Sequence, residues 1–354
     1  MTRLVVSMDQ LYRPQPGGIA SYVRGLLQGL AALDGGWELR GLAPRGELVD
    51  TPSVATTTVP VDVATLTRLW RVAPFGVPSD ADVVHATSLA GPFGGGRRGA
   101  IHSVAVHDLL WRDRPEATTA RGVRFHEGRL RLVRSREAIR VMVSSPGLGE
   151  RLVEAGFATW RLHPVRLGVD DATPAADGAT VATALAAAGV TGPFSLYVGT
   201  REPRKNIARL VAAHRVARGR RADLGPLVLV GPPGWGAVDT ADAVVLGPQP
   251  RSLVKGLLRD ATVMVYVALA EGWGLPPVEA LFAGTRVVVS ADCPSVAGLD
   301  AVVRVDPLDV ESIADGLVRA LDEGDDVVDR DRRHAAVADQ TWENSARDHV
   351  AGWR

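Results

Sequence analysis

The chain has 354 residues, a formal net charge of zero, 46 % apolar residues and 23 % charged ones. That balance belongs to a globular protein long enough for two domains of ordinary size, and it speaks against a dedicated nucleic-acid binder. The single cysteine, Cys293, excludes an intramolecular disulfide and a Cys-rich zinc site. No apolar stretch approaches the roughly 20 residues that span a bilayer. The first residues lead into a strand-like run without a signal-peptide pattern, so a cytoplasmic protein is expected.

Short β-branched runs alternate with helix-period stretches rich in Ala, Leu and Arg. In chain order, strands are predicted at Leu4–Ser7, Leu39–Ala43, Val83–Ala86, Ser103–His107, Val141–Ser144, Phe194–Val198, Leu227–Val230, Ala243–Leu246, Val263–Val267, Arg286–Ser290 and Val302–Val305. Helices are predicted at Ile19–Leu33, Thr180–Ala188, Ile207–Arg218, Arg251–Arg259 and Val310–Leu321. Continuous apolar strands alternating with helices imply parallel sheets covered on both faces. The pattern restarts near residue 194, after a stretch rich in Ala, Gly, Asp and Thr. The reading is therefore an α/β protein of two doubly wound domains, residues 1–170 and 193–338, joined by a linker over 171–192 and facing a central cleft. Ligands of such sheets bind at the carboxyl ends of the strands.

Four segments stand at those ends. Glu271-Gly-Trp-Gly-Leu-Pro-Pro-Val-Glu279 follows a buried strand. Gly272 and Gly274 permit a sharp turn and close approach to a ligand, and Pro276 and Pro277 suit a first helical turn. The carboxylates accept hydrogen bonds from hydroxyls, and a helix N-terminus favours an anion, so phosphates plus sugar hydroxyls fit the segment. A strand-turn-helix with a capping glutamate is the plainer alternative. Tyr197-Val-Gly-Thr-Arg-Glu-Pro-Arg-Lys-Asn206 places Gly199, Arg201, Arg204 and Lys205 in a loop, where their charges suit diphosphate oxygens, with Asn206 as helix N-cap. A solvated basic loop is the alternative. Gly17 and Gly18, in Pro14-Gln-Pro-Gly-Gly-Ile-Ala-Ser-Tyr22, offer backbone N–H groups at a helix start, or a simple turn. His107 ends a strand and reads as a donor, a general base or a structural histidine; His85 is a weaker counterpart. There is no Walker loop, GxSxG elbow or HExxH, and no Asp-x-Asp stands at a strand end as a metal-diphosphate clamp would, so Arg, Lys and helix dipoles are expected to neutralise a diphosphate without a metal.

Together these segments resemble, in order and over most of the chain, the retaining glycosyltransferases of family 4, which have the GT-B fold of two Rossmann-like domains. The spacing of Glu271 and Glu279 is similar to that family's E-x7-E motif, with Ala280-Leu-Phe-Ala-Gly284 continuing it. Val198–Asn206 resembles its diphosphate loop, Gly17-Gly18 its N-terminal glycine loop, and Leu167-Gly-Val-Asp170 its hinge. Thr341-Trp-Glu-Asn-Ser-Ala346 resembles the last helix, which in the family returns to the N-terminal domain, here residues 339–354.

The resemblance implies roles. Glu279 would hold the ribose, Glu271 the transferred sugar, and the amides of Gly272, Trp273, Gly274 and Leu275 the sugar and phosphates. Lys205 with Arg204 or Arg201 would stabilise the leaving diphosphate. Gln249–Leu253 would lie near the base, and His107 beside the reacting carbon. The expected activity is metal-independent, retaining hexosyl transfer from a nucleoside diphosphate sugar, with GDP-mannose as donor, to a hydroxyl of a glycan, lipid or natural product. No cofactor is expected. The alternatives are a sugar-nucleotide epimerase or hydrolase, or a silent sugar-nucleotide binder. Arg121–Arg140 holds seven arginines and reads as a solvated helix face, an anionic acceptor channel or a peripheral contact with the inner face of the membrane.

Overall fold

The computed structural model describes residues 1–14, 17–33, 35–48, 54–115, 118–169, 172–236 and 238–354. Among them, thirteen strands form two parallel sheets in two compact units. One unit comprises Met1–Gly168 with Gln340–Arg354, the other Val169–Asp339.

In the first unit the strands are β1 (Thr2–Ser7), β2 (Trp37–Pro44), β3 (Ala55–Val59), β4 (Val83–Ala86), β5 (Ile101–Val106), β6 (Ile139–Val143) and β7 (Leu162–Pro164), ordered β3-β2-β1-β4-β5-β6-β7. In the second they are β8 (Ser195–Val198), β9 (Leu227–Val230), β10 (Ala243–Gly247), β11 (Val263–Tyr266), β12 (Val287–Ser290) and β13 (Val303–Val305), ordered β10-β9-β8-β11-β12-β13. Central strands such as β9 and β12 are buried throughout, which is why they read as unbroken apolar runs. Strand order reverses between β1 and β4, and again between β8 and β11. In doubly wound sheets such a reversal opens a crevice at the strands' carboxyl ends. This is the GT-B class of fold.

Two strands are absent from the sequence reading, β3 and β7. Both lie at sheet edges. β3 is a mostly exposed Thr-rich run, and β7 has three residues ending in Pro164. An edge strand buries too little to need an apolar run. A third difference concerns residues 171–192. The helix Gly178–Ala187 packs on the helix Arg251–Asp260, Ala176 N donates to Ser252 O, and the whole stretch from Val169 belongs to the second unit. Val181 and Leu185 are buried there, so the low-complexity composition conceals a packed element rather than a linker.

The helix Trp342–Trp353 belongs to the first unit, where it packs on the helix Gly18–Ala32. Two glycines permit the approach. A Cβ on Gly25 would fall 1.9 Å from the Trp342 ring, and one on Gly29 only 2.0 Å from the Trp342 carbonyl oxygen. A backbone atom cannot rotate away, so Gly29→Ala is expected to destabilise the unit by about 1–3 kcal/mol. The check is a melting curve beside Gln28→Ala on the exposed face. Equal Tm values would mean that the two helices do not rest on each other.

A buried polar chain ties this helix to the sheet. Trp353 Nε1 donates to Ser103 Oγ at 2.7 Å, and Ser103 Oγ lies 2.8 Å from His85 Nδ1. Tyr22 Oη lies 2.8 Å from both His85 Nε2 and His349 Nε2, and His349 Nδ1 is 2.7 Å from the Ser345 carbonyl. An indole only donates and a carbonyl only accepts. With both rings neutral, the ends fix every proton between them. Ser103 donates to His85 Nδ1, His85 Nε2–H to Tyr22, Tyr22 to His349 Nε2, and His349 Nδ1–H to Ser345. This assignment takes both imidazoles as neutral, the form that burial favours for each. No helix among the described residues is long and apolar enough to cross a membrane.

Candidate active site

In the second unit, the loops after β8 and β11 flank the reversal of strand order and bring most of the predicted residues together. The loop after β8 begins at Gly199, whose φ of 151° and close approach to Tyr197 Oη, 2.7 Å from a would-be Cβ, exclude a side chain. Lys205 is buried; its Nζ donates to Tyr266 Oη at 2.6 Å and pairs with Glu271 Oε1. That same oxygen accepts from Tyr266 Oη and from Arg204 Nη1, both at 3.0 Å. Arg204 also pairs with Glu202 at 2.6 Å. Burial pushes the Glu271 carboxyl upward, but Lys205 and Arg204 outweigh it and leave Glu271 below the usual carboxylate range. Burial lowers Lys205, with Glu271 opposing. Burial, seconded by the Glu271 charge, pushes the Tyr266 and Tyr197 phenols well up, so both remain neutral donors.

Three donors thus converge on Oε1 of Glu271, while Oε2 makes no hydrogen bond with the described residues. Immediately after it, the amides of Gly272, Trp273, Gly274 and Leu275 are likewise engaged by no described residue. The Trp273 indole Nε1 is buried and unpartnered. Gly274 sits at φ 92° as N-cap of the helix Leu275–Phe282, a conformation that turns successive N–H groups outward. Pro276 and Pro277 remove two of the free N–H groups that a helix start normally offers. The anion-binding capacity of this end therefore resides in the four residues preceding Pro276.

Glu279, also in the helix Leu275–Phe282, is buried and pairs with Arg251 Nη2 at 2.6 Å. The two border a cavity of about 330 Å³ whose walls include Lys255, Phe282 and Pro174. That volume is in the range of small-molecule sites.

Several predicted roles differ in detail. Lys205 and Arg204, expected on a diphosphate, hold the Glu271 carboxylate, because a buried carboxylate requires countercharge. Arg201 spends one Nη1 bond on the Gly231 carbonyl at 2.8 Å. Asn206 is the N-cap residue but not through its side chain. Its φ is 62°, and its Nδ2 instead donates to the Val267 and Pro307 carbonyls at 3.0 and 2.6 Å, joining three loops. Of Gln249–Leu253, Gln249 bonds locally to Leu246 O, and Arg251 meets the predicted ribose glutamate.

The first unit holds the remaining predicted residues. His107, just beyond β5, has Nε2 2.8 Å from the Thr87 carbonyl and its ring edge-on to Tyr22 at 4.8 Å. Because a carbonyl only accepts, Nε2 carries the proton and Nδ1 is the acceptor. Burial lowers its pKa, which favours this neutral form. Gly17 is the N-cap and Gly18 the first residue of the helix Gly18–Ala32, and a Cβ on either meets nothing within 4 Å. Packing therefore gives no reason for glycine there. The preceding Gln15 and Pro16, like Asp170 and Asp171 of the predicted hinge and linker, lie outside the described residues. His85 is fully buried in the chain from Trp353 to Ser345, which makes it structural.

The arginines of Arg121–Arg140 do not form one solvated face. Arg129 is buried, donating to the Leu89 and Trp70 carbonyls at 2.7 and 2.8 Å and to Gly91 O; burial lowers it to about 10. Arg134, Arg136 and Arg140 donate to the carbonyls of Ala155, Phe93 and Gly352 at 3.0, 2.5 and 2.7 Å. They satisfy carbonyls of loops and helix ends.

The sequence reading missed Tyr266 and, although Gln249–Leu253 was placed near the base, the pairing of Arg251 with Glu279. A tyrosine closing the strand before Glu271 was the available signal for the first. Nothing local marks Arg251, which meets Glu279 across 28 positions. Among the described residues no group of three His, Cys, Asp or Glu is placed to hold a metal.

Residues 192–323 match the model of the family described as Glycosyl transferases group 1. The O-antigen chain mannosyltransferase B of Escherichia coli is 34 % identical over 165 residues, 43 % of this chain and 43 % of that protein. The alignment thus spans less than half of that relative. Among solved structures, WaaG, a glycosyltransferase involved in lipopolysaccharide biosynthesis, superposes with a TM-score of 0.68 at 16 % identity, covering 99 % of this chain and 98 % of that one. Anabaena HepE, in complex with UDP and glucose, gives 0.63 at 13 %, covering 100 % and 96 %. The chain therefore has the fold of these structures, and residues 192–323 of its second unit are similar in sequence to the glycosyl transferases of group 1.

Proposed function

We propose that this protein is a retaining, metal-independent glycosyltransferase that moves a hexose from a nucleoside diphosphate sugar to an acceptor hydroxyl, with GDP-mannose as donor. The observation that carries the reading is the run of four unengaged amides, Gly272 to Leu275, with the orphaned Trp273 indole N–H, beside a carboxylate with one open oxygen. Of these donors the Trp273 indole N–H is buried, and a buried N–H without a partner is rare in proteins. A diphosphate and a sugar supply the acceptors these donors lack, and a sugar hydroxyl supplies the donor that Glu271 Oε2 lacks. Glu279 and Arg251 take the ribose beside the 330 Å³ cavity. The remaining N–H of Lys205 and the open edge of Arg201 meet charge developing on the leaving phosphates. Donors already fixed in place need no reorganisation when that charge appears. The leaving phosphate then accepts the acceptor proton on the face where the new bond forms. The mannose assignment draws on the resemblance of Glu202-Pro-Arg-Lys-Asn206 to the family loop and on the mannosyltransferase relative.

A thermal-shift titration with GDP, UDP and dTDP tests the donor, since a ligand bound only by the folded state raises Tm by mass action. GDP is expected to give the largest shift. Glu279→Ala is expected to weaken nucleotide binding about 10- to 100-fold, the cost of hydrogen bonds to a charged group. Tight UDP binding without GDP binding would replace the donor; unchanged affinity in Glu279→Ala would displace the ribose site.

A further inference from the structure

We propose that the first unit carries a second ligand site, built to take a phosphorylated sugar, and that this is the acceptor. Its cavity measures about 800 Å³, within the range of small-molecule sites. The floor is formed by Ser88, Leu89 and Ala90, after β4, and by Gln10 and Arg13, after β1. These are the two strands between which the order reverses, where doubly wound sheets bind ligands.

The walls are cationic. Arg13, Arg68, Arg71, Arg121 and Arg124 all line the cavity. No carboxylate occurs among the described lining residues. Arg71, Arg121 and Arg124 make no side-chain hydrogen bond or ion pair with any described residue. Their neighbours in the helix Ala120–Ser135 behave differently: Arg129 and Arg134 spend their guanidiniums on carbonyls. Within one helix, therefore, the cavity side alone keeps its arginines unspent. The same helix points its N-terminus, with Thr119 as N-cap, at the cavity, and Arg121 and Gly122 of its first turn line it. Its dipole adds to the preference for an anion.

The cavity is also held rigid. Buried Arg129 clamps the Leu89 and Gly91 carbonyls, and Thr87 Oγ1 bonds Ser7 O at 2.9 Å. His126, on the wall, stacks on Trp111 at 4.7 Å and has a buried Nδ1 without a partner. Gln10 Nε2 is committed to Asp9 Oδ2 and Ser88 Oγ, at 2.7 and 3.2 Å, leaving its carbonyl oxygen for a sugar hydroxyl. Arg13 is shared with the buried Asp9 carboxylate at 3.4 Å and donates to Thr67 Oγ1 at 3.0 Å; the other four guanidiniums exceed what one carboxylate needs. They match the several oxygens and higher charge of a phosphoryl group, which guanidinium forks bind in pairs. The volume leaves room for the sugar. The floor residue Ser88 directly follows Thr87, whose carbonyl holds His107, so the cavity adjoins the histidine predicted to stand beside the reacting carbon. The role as acceptor site rests on the transferase reading; binding of a phosphorylated sugar does not.

The test is calorimetry on the full chain with mannose 6-phosphate, mannose and glucuronate, and sedimentation with vesicles that carry a polyprenyl phosphate-linked mannose or only phosphatidylcholine. Mannose 6-phosphate or the vesicles with the lipid-linked sugar are expected to bind, and whichever binds identifies a free or lipid-linked source. Mannose and glucuronate are expected to bind at least tenfold more weakly. In Arg71→Gln/Arg124→Gln, binding of the phosphorylated probe is expected to fall at least tenfold, with nucleoside diphosphate binding unchanged as the control for folding. No binding of either phosphorylated probe, equal binding of mannose or glucuronate, or an unaffected double variant would each overturn the site. Phosphorylated probes bound without any nucleotide would preserve the cavity and remove the transferase reading. The reverse would preserve the transferase and remove the cavity.

Discussion

Lys205→Ala is expected to lower the transfer kcat on the order of 10²- to 10³-fold, the usual cost of removing one donor from developing charge. Two losses combine. The leaving phosphate loses a cation, and Glu271 loses the partner that, with Arg204, holds it ionised against burial. Breaking a buried ion pair by removing one side costs about 3–5 kcal/mol, so the same variant is expected to melt earlier. The two losses can be separated. Lys205→Met/Glu271→Gln removes both charges while retaining bulk, and is expected to recover most of the stability and none of the turnover. Stability and kcat measured on both variants decide the matter. A Lys205→Ala protein with full transfer activity would remove Lys205 from the mechanism. Turnover restored together with stability in the double variant would make the pair purely structural.

Acidification is expected to loosen the first unit before its carboxylates titrate. His349 is fully buried in the hydrogen-bond chain, and burial lowers its pKa from 6.5 to about 4. The unfolded chain takes up that proton near pH 6.5, the folded one only near pH 4. Between these values the unfolded state binds more protons, so stability falls as pH falls. The contribution is complete above pH 6.5. It is reduced by roughly 2 kcal/mol at pH 5 and by roughly 3 kcal/mol once both states have titrated. His85, in the same chain, is lowered well below its usual value by burial and adds in the same direction. Chemical denaturation at pH 7 and pH 5 on wild type and His349→Gln measures the term. The variant is expected to be less stable at pH 7 and to lose less on acidification. Parallel pH profiles for the two proteins would mean that His349 titrates alike in both states.

The strand-helix alternation and the restart near residue 194 were legible because each is local. A strand buried on both faces must be apolar along its length, as in Leu227–Val230, and a helix start carries its own signal, as at Pro276 and Pro277. That the Glu271 segment and the basic loop stand at the same end of one sheet was legible for the same reason: both follow predicted strands. The edge strands Ala55–Val59 and Leu162–Pro164 were not, since they bury little and carry no apolar run. Nor was the helix Gly178–Ala187 seen as part of a domain, because Ala and Thr pack as readily as they fill a linker.

Local spacing by itself thus determined the α/β class, the two-sheet organisation and the positions of the candidate loops. The tertiary structure alone decided what each charged side chain does. Arg124 and Arg129 are the same residue type on one helix, yet one lines a cavity and the other is buried on carbonyls. Lys205 meets Tyr266 and Glu271 from more than 60 positions away. A charge is costly or useful according to the countercharges and solvent around it, and those come from segments that the sequence places far apart.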